Sequence, residues 1–161
     1  MARQGPTEED RDEALRRLLS GLVAGDDVFE LAASVADLHP KYNTFPGEVF
    51  MDLAADALEI ADATRNDPIP YEGLREIYLP ECEFRGRDNR RIQYAILTSA
   101  SVRGGLEPDL LDEVTWWRAD DYWRYALYAA VALIRAGAER QGVTIGQMVE
   151  QLADHTGVTL A

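Results

Sequence analysis

From Tyr122 to Ile134 the chain reads YWRYALYAAVALI, and Arg124 is its only charge. A helix that is apolar nearly all the way round must be covered on most of its sides. Its most apolar part, Tyr125 to Ile134, is too short to cross a bilayer, which takes ~20 residues. Protein must therefore supply the cover. The segment from Asp120 to about Arg140 is read as a central helix, wrapped by the rest of the chain. Ala126, Ala129, Ala130, Ala132 and Ala136 would let neighbouring helices approach it closely.

The wrapping elements carry the matching stripes. Leu15, Leu18, Leu19 and Leu22 follow the i, i+3, i+4, i+7 spacing of one buried helix face. Thr7 can cap that helix, Glu8, Glu9 and Asp10 suit the positive end of its dipole, and Gly25 ends it. Asp26 or Asp27 caps a second helix with Val28, Leu31, Ala32 and Val35 on one face, closed by His39-Pro40. Pro46 suits the first turn of a third helix, expected to run to about Arg65 with Val49, Phe50, Leu53, Ala57 and Ile60 inward. A short helix is expected over Tyr71 to Leu79, then one from Asp88 to Val102, and another from Pro108 with Leu110, Val114 and Trp117 on one face. The last helix, from the Thr144 cap to about Asp154, would turn Ile145, Met148, Val149 and Leu152 inward.

No segment alternates β-branched residues over a strand's length, so no sheet is expected. The expected fold is all-α: a compact single domain over residues 1–161, with about seven to eight helices around the buried helix at residues 120–140.

Charge narrows the partners. A formal net charge of −13 repels nucleic acid and anionic lipid, so neither nucleic acid nor membrane is an expected partner. The run from Gly142 to Val158 resembles the first half of a helix-turn-helix, but no recognition helix follows it in the sequence. The charged stretch from Met1 to Asp12 lacks the apolar run of a signal peptide, and the cytoplasm is the expected compartment. Cys82, the single cysteine, lies between Glu81 and Glu83, which disfavour a reactive thiolate.

Leu111-Asp112-Glu113-Val114, Trp116-Trp117-Arg118 and the run from Asp120 to Tyr128 resemble uncharacterised all-helical proteins of actinobacteria. Tyr78-Leu79-Pro80-Glu81 and Gln93-Tyr94-Ala95 carry the same resemblance, which covers roughly a third of the chain and implies no activity.

Three groups of residues are candidates for function. Asp52, Asp56 and Glu59 fall at i, i+4, i+7 on the third helix, so three carboxylates share one face. Such a face can hold Mg²⁺ or Mn²⁺, which take hard oxygen ligands. All-helical nucleotide pyrophosphohydrolases use a related arrangement, although their Glu-x-x-Glu pairing is not matched here. The plainer reading is a solvated polar face opposite Val49, Leu53 and Ile60. Arg85, Arg87, Arg90 and Arg91 could grip a phosphate or carboxylate, or simply pair with Glu81, Glu83 and Asp88. Trp116, Trp117 and Tyr122 belong to an aromatic group with Trp123, Tyr125 and Tyr128. Consecutive Trp116 and Trp117 cannot face the same way on a helix, so one is expected to be exposed or at an interface. A large core around the central helix is the plainer reading for most of the group. Neither His39 nor His155 sits in a metal-ligand spacing.

The expected function is that of a non-enzymatic helical protein–protein interaction module, self-association included, with no cofactor. The alternative is a metal-dependent all-α hydrolase acting on a nucleotide or other phosphorylated substrate, with Mg²⁺ or Mn²⁺.

Overall fold

The computed structural model describes residues 8–38, 45–63, 66–67, 69, 74–80 and 122–160. Six helices and no strand occur among them: α1 (Glu8–Ala24), α2 (Val28–Ala36), α3 (Phe45–Ile60), α4 (Leu74–Tyr78), α5 (Tyr122–Gln141) and α6 (Ile145–Thr156). The two helices expected over 88–102 and from Pro108 lie outside the described residues, so six stand where seven to eight were expected.

Helix α5 is the central element. Every residue from Tyr125 to Ile134 is buried, and Arg135 is the first to reach partial exposure. Its most extensive neighbour is α3. The close approach depends on small side chains. A Cβ added at Gly137 would lie 3.3 Å from the Ala57 carbonyl oxygen, 3.3 Å from the Ala61 Cβ and 2.9 Å from the Met148 Cε. Three helices, α3, α5 and α6, therefore converge at this glycine.

The stripes read from the sequence face this core. Leu15, Leu18, Leu19 and Leu22 of α1 are buried, as are Val28, Leu31, Ala32 and Val35 of α2. Asp27 caps α2, its carboxylate accepting from the Phe29 and Glu30 amides. Helix α3 is covered over a wider arc than one stripe, because Ala54, Ala55, Leu58 and Ala61 are buried beside Val49, Phe50, Leu53 and Ala57. Fully burying a leucine or phenylalanine side chain is worth about 1.5–3 kcal/mol. Buried residues from every helix join one apolar cluster.

The end of α3 departs from expectation. The helix stops at Ile60 rather than near Arg65, because Asp62 adopts φ +57°. The Asp62 amide donates to the Glu59 carbonyl and the Ala63 amide to the Leu58 carbonyl. This is the pattern of a Schellman cap, with aspartate in the position that glycine usually takes. Helix α4 lies within the stretch expected from Tyr71 to Leu79, of which residues 71–73 are outside the described residues.

Polar ties fasten the periphery. Arg17 donates to the Ser34 carbonyl at 2.7 Å, joining α1 to α2, and the Arg16 Nε donates to the Thr159 carbonyl at 3.0 Å. The Tyr78 hydroxyl donates to Glu139 at 2.7 Å, joining α4 to α5. Burial first, and then that carboxylate, push the Tyr78 phenol up to about 12. No helix among the described residues is long and apolar enough to cross a membrane.

Candidate functional site

The acidic face of α3 does not simply meet solvent. Helix α6 packs along part of it, driven by Met148, Val149 and Leu152, which are fully buried. Thr144 sets where α6 begins: its hydroxyl accepts from the Gln147 amide while the Gln147 side chain accepts from the Thr144 amide. Three residues beyond Leu152, one turn further on the same side, comes His155. Its Nε2 lies 3.3 Å from Asp56 Oδ1 and 3.9 Å from Glu59 Oε2.

Asp56, Glu59 and His155 thus present ligand-type atoms within 4.8 Å of one another. Burial differs sharply across the three. The Asp56 side chain is 13% exposed, held between the two helices, whereas Glu59 and His155 are 50% and 42% exposed. The group therefore has a fixed inner member and an open outer side. Two carboxylates a turn apart repel one another, and the imidazole between them offers one counter-charge when protonated. His155 also stands in the last turn of α6, where the helix dipole favours a cation. A plain surface ion pair and a metal-ligating group share this geometry.

Of the three carboxylates singled out on α3, the structure brings together Asp56 and Glu59, while Asp52 is exposed and not part of the group. His155 is the residue that sequence reasoning missed. No local motif marks it, but its spacing from Met148 and Leu152 puts it on the edge of the buried face of α6. That position requires it to touch whichever helix α6 packs against.

A second concentration of charge lies on α1, where Glu9, Asp10, Asp12, Glu13 and Arg16 line an open depression. Glu13 is bridged by Arg16 and, at 3.1 Å, by Arg17. The hydrogen bond from Arg17 is the main reason its carboxyl sits below the usual range. Arg85, Arg87, Arg90 and Arg91 lie outside the described residues, as do Trp116, Trp117, Cys82 and His39. Tyr122 opens α5, and its side chain is likewise outside the description.

Among the described residues, aromatic rings occur both in the core and at the surface. Tyr125 and Tyr128 are buried, their rings edge to face at 6.4 Å. Tyr128 meets Phe29 of α2 in the same manner at 5.7 Å, and Phe29 is 44% exposed. Three rings in sequence therefore run from the interior to the surface.

Comparison with known proteins finds no matching family model, no matching curated protein and no matching solved structure.

Proposed function

We propose that this chain is a non-enzymatic helical module that acts through protein–protein contacts, self-association included, in the cytoplasm. The observation that carries this reading is the ring series Tyr125–Tyr128–Phe29, which ends on an exposed aromatic. An aromatic side chain already held by an edge-to-face neighbour loses little freedom when a partner covers it. Such rings serve well as interface anchors. Val23, exposed at the end of α1, adds apolar surface on the polypeptide just before α2. Trp116, Trp117 and Tyr122 belong to the same proposal as further contact residues. So do the resemblance to uncharacterised actinobacterial helical proteins and the absence of nucleic acid from the partners.

Size-exclusion chromatography with light scattering tests the self-association directly. The wild-type chain is expected to exceed monomer mass at micromolar concentration, and Phe29→Ser to return it toward the monomer. A strictly monomeric wild type would count against self-association, and an unchanged assembly in Phe29→Ser would remove Phe29 from the contact.

A second reading draws on a different observation. The convergence of Asp56, Glu59 and His155 favours the metal-dependent hydrolase, with Arg87, Arg90 and Arg91 holding a nucleotide or other phosphorylated substrate and Mg²⁺ or Mn²⁺ as cofactor. Phosphate release from a nucleotide panel, dependent on added metal and lost in Asp56→Asn, is the result this reading requires.

A further inference from the structure

We propose that Asp56, Glu59 and His155 form a three-ligand site for a borderline divalent transition-metal ion, Zn²⁺ foremost, which ties α6 to α3. The site needs no hydrolytic activity and would stand if the chain turned over no substrate.

The donor set selects the metal. Two carboxylate oxygens alone would suit Mg²⁺ or Ca²⁺, but an imidazole nitrogen as the third donor moves the preference to Zn²⁺, Co²⁺ or Ni²⁺. This changes the reading of the acidic face, which in sequence offered oxygen ligands only. Asp52, the third carboxylate on that face, is not among the converging groups.

Spacing supports the assignment. With metal–ligand distances of about 2.0–2.2 Å, two donors at a tetrahedral angle lie about 3.4 Å apart. The His155 Nε2 to Asp56 Oδ1 distance is 3.3 Å, close to that separation already. Glu59 Oε2, at 3.9 Å from the imidazole, lies about half an ångström beyond that separation, on a side chain that is 50% exposed.

Both helices also hold their donors in place. Asp56 stands on α3 between buried Ala55 and Ala57, and His155 follows buried Leu152 and Ala153 on a helix capped at Thr144 and Gly157. Donors arriving on two packed helices need little ordering when the ion binds. Charge acts in the same direction. A divalent ion would add counter-charge beside two carboxylates a turn apart on a chain of net charge −13. Three protein ligands leave the fourth position to water or to an outside ligand, on the exposed side formed by Glu59 and His155.

The test is calorimetric titration of the full chain with Zn²⁺ and with Mg²⁺, together with the visible spectrum of the Co²⁺ form. One equivalent of Zn²⁺ is expected to bind, Mg²⁺ to bind far more weakly, and Co²⁺ to give the intense visible bands of a low-coordinate site. His155→Gln and Glu59→Gln, both at exposed positions, should each lower Zn²⁺ affinity at least about tenfold. Asp52→Asn should leave that affinity unchanged. Circular dichroism confirms that each variant folds. Absence of Zn²⁺ binding, equal affinity for Mg²⁺, or Zn²⁺ binding that survives both His155→Gln and Glu59→Gln would overturn the proposal.

Discussion

Helix α3 meets α5 on one side and α6 on another, and the two contacts are built from opposite materials. Toward α5 the surface is small and apolar, with Ala57 and Ala61 against Gly137. Toward the end of α6 it is Asp56 and Glu59 against His155. The first contact derives its strength from area removed from water and from close packing, which leave no room for adjustment. The second is half exposed, and screened ion pairs of that kind contribute about 0–1 kcal/mol. The comparison assigns stability to one side of α3 and places the ligand-type groups Asp56, Glu59 and His155 on the other.

The largest effect should come from emptying the core around α5. Leu133, fully buried in α5, leaves a cavity on replacement by alanine. Leu133→Ala is expected to lower stability by about 2–5 kcal/mol in denaturant titration. Filling the contact should do less but still much. Gly137→Val would drive a branched side chain against the Ala57 carbonyl and Ala61, at a cost of about 1–3 kcal/mol in the same measurement. A result near zero for Gly137→Val would show that α3 and α5 are not held as closely as the geometry requires.

A smaller effect is expected where α4 is tied to α5. The folded chain raises the Tyr78 phenol from 10.0 to about 12, so it holds that proton more tightly than the unfolded chain does. The resulting stabilisation is fully present below pH 10 and is lost as pH rises toward 12. Tyr78→Phe removes the hydrogen bond to Glu139, should cost about 0.5–1.5 kcal/mol at neutral pH, and should flatten that alkaline decline. A decline of the same size in both proteins would place its origin elsewhere.

The apolar contact was far more legible in the sequence than the polar one. The stripe Leu15, Leu18, Leu19 and Leu22 and the run Tyr125 to Ile134 are buried as their spacing requires, because burial follows from periodicity along one segment. The Thr144 cap was equally readable, since a cap acts within three residues, whereas the α2 cap was narrowed only to Asp26 or Asp27. The end of α3 was not. Nothing local marks Asp62 over its neighbours as the residue to turn left-handed, and the carbonyls of Leu58 and Glu59 are satisfied only once it does. The candidate site was half legible. Asp56 and Glu59 could be placed on one face, but the arrival of His155 depends on how α6 lies across α3. Pairwise helix docking of that kind is a property of the assembled core, not of either segment. The same dependence explains why Asp52, indistinguishable from Asp56 by spacing, stays outside the group.

One crossed experiment tests the division of labour on α3 most directly: thermal melts of Leu133→Ala and His155→Gln, each with and without Zn²⁺. The account predicts that Leu133→Ala melts far lower yet keeps the metal-induced rise, roughly 5–10 °C at a hundredfold excess over Kd. His155→Gln should melt near the wild type without metal and show no rise with it. If His155→Gln instead lowers the melting temperature as far as Leu133→Ala, and Zn²⁺ moves neither the variants nor the wild type, the polar edge is part of the scaffold and the central claim is contradicted.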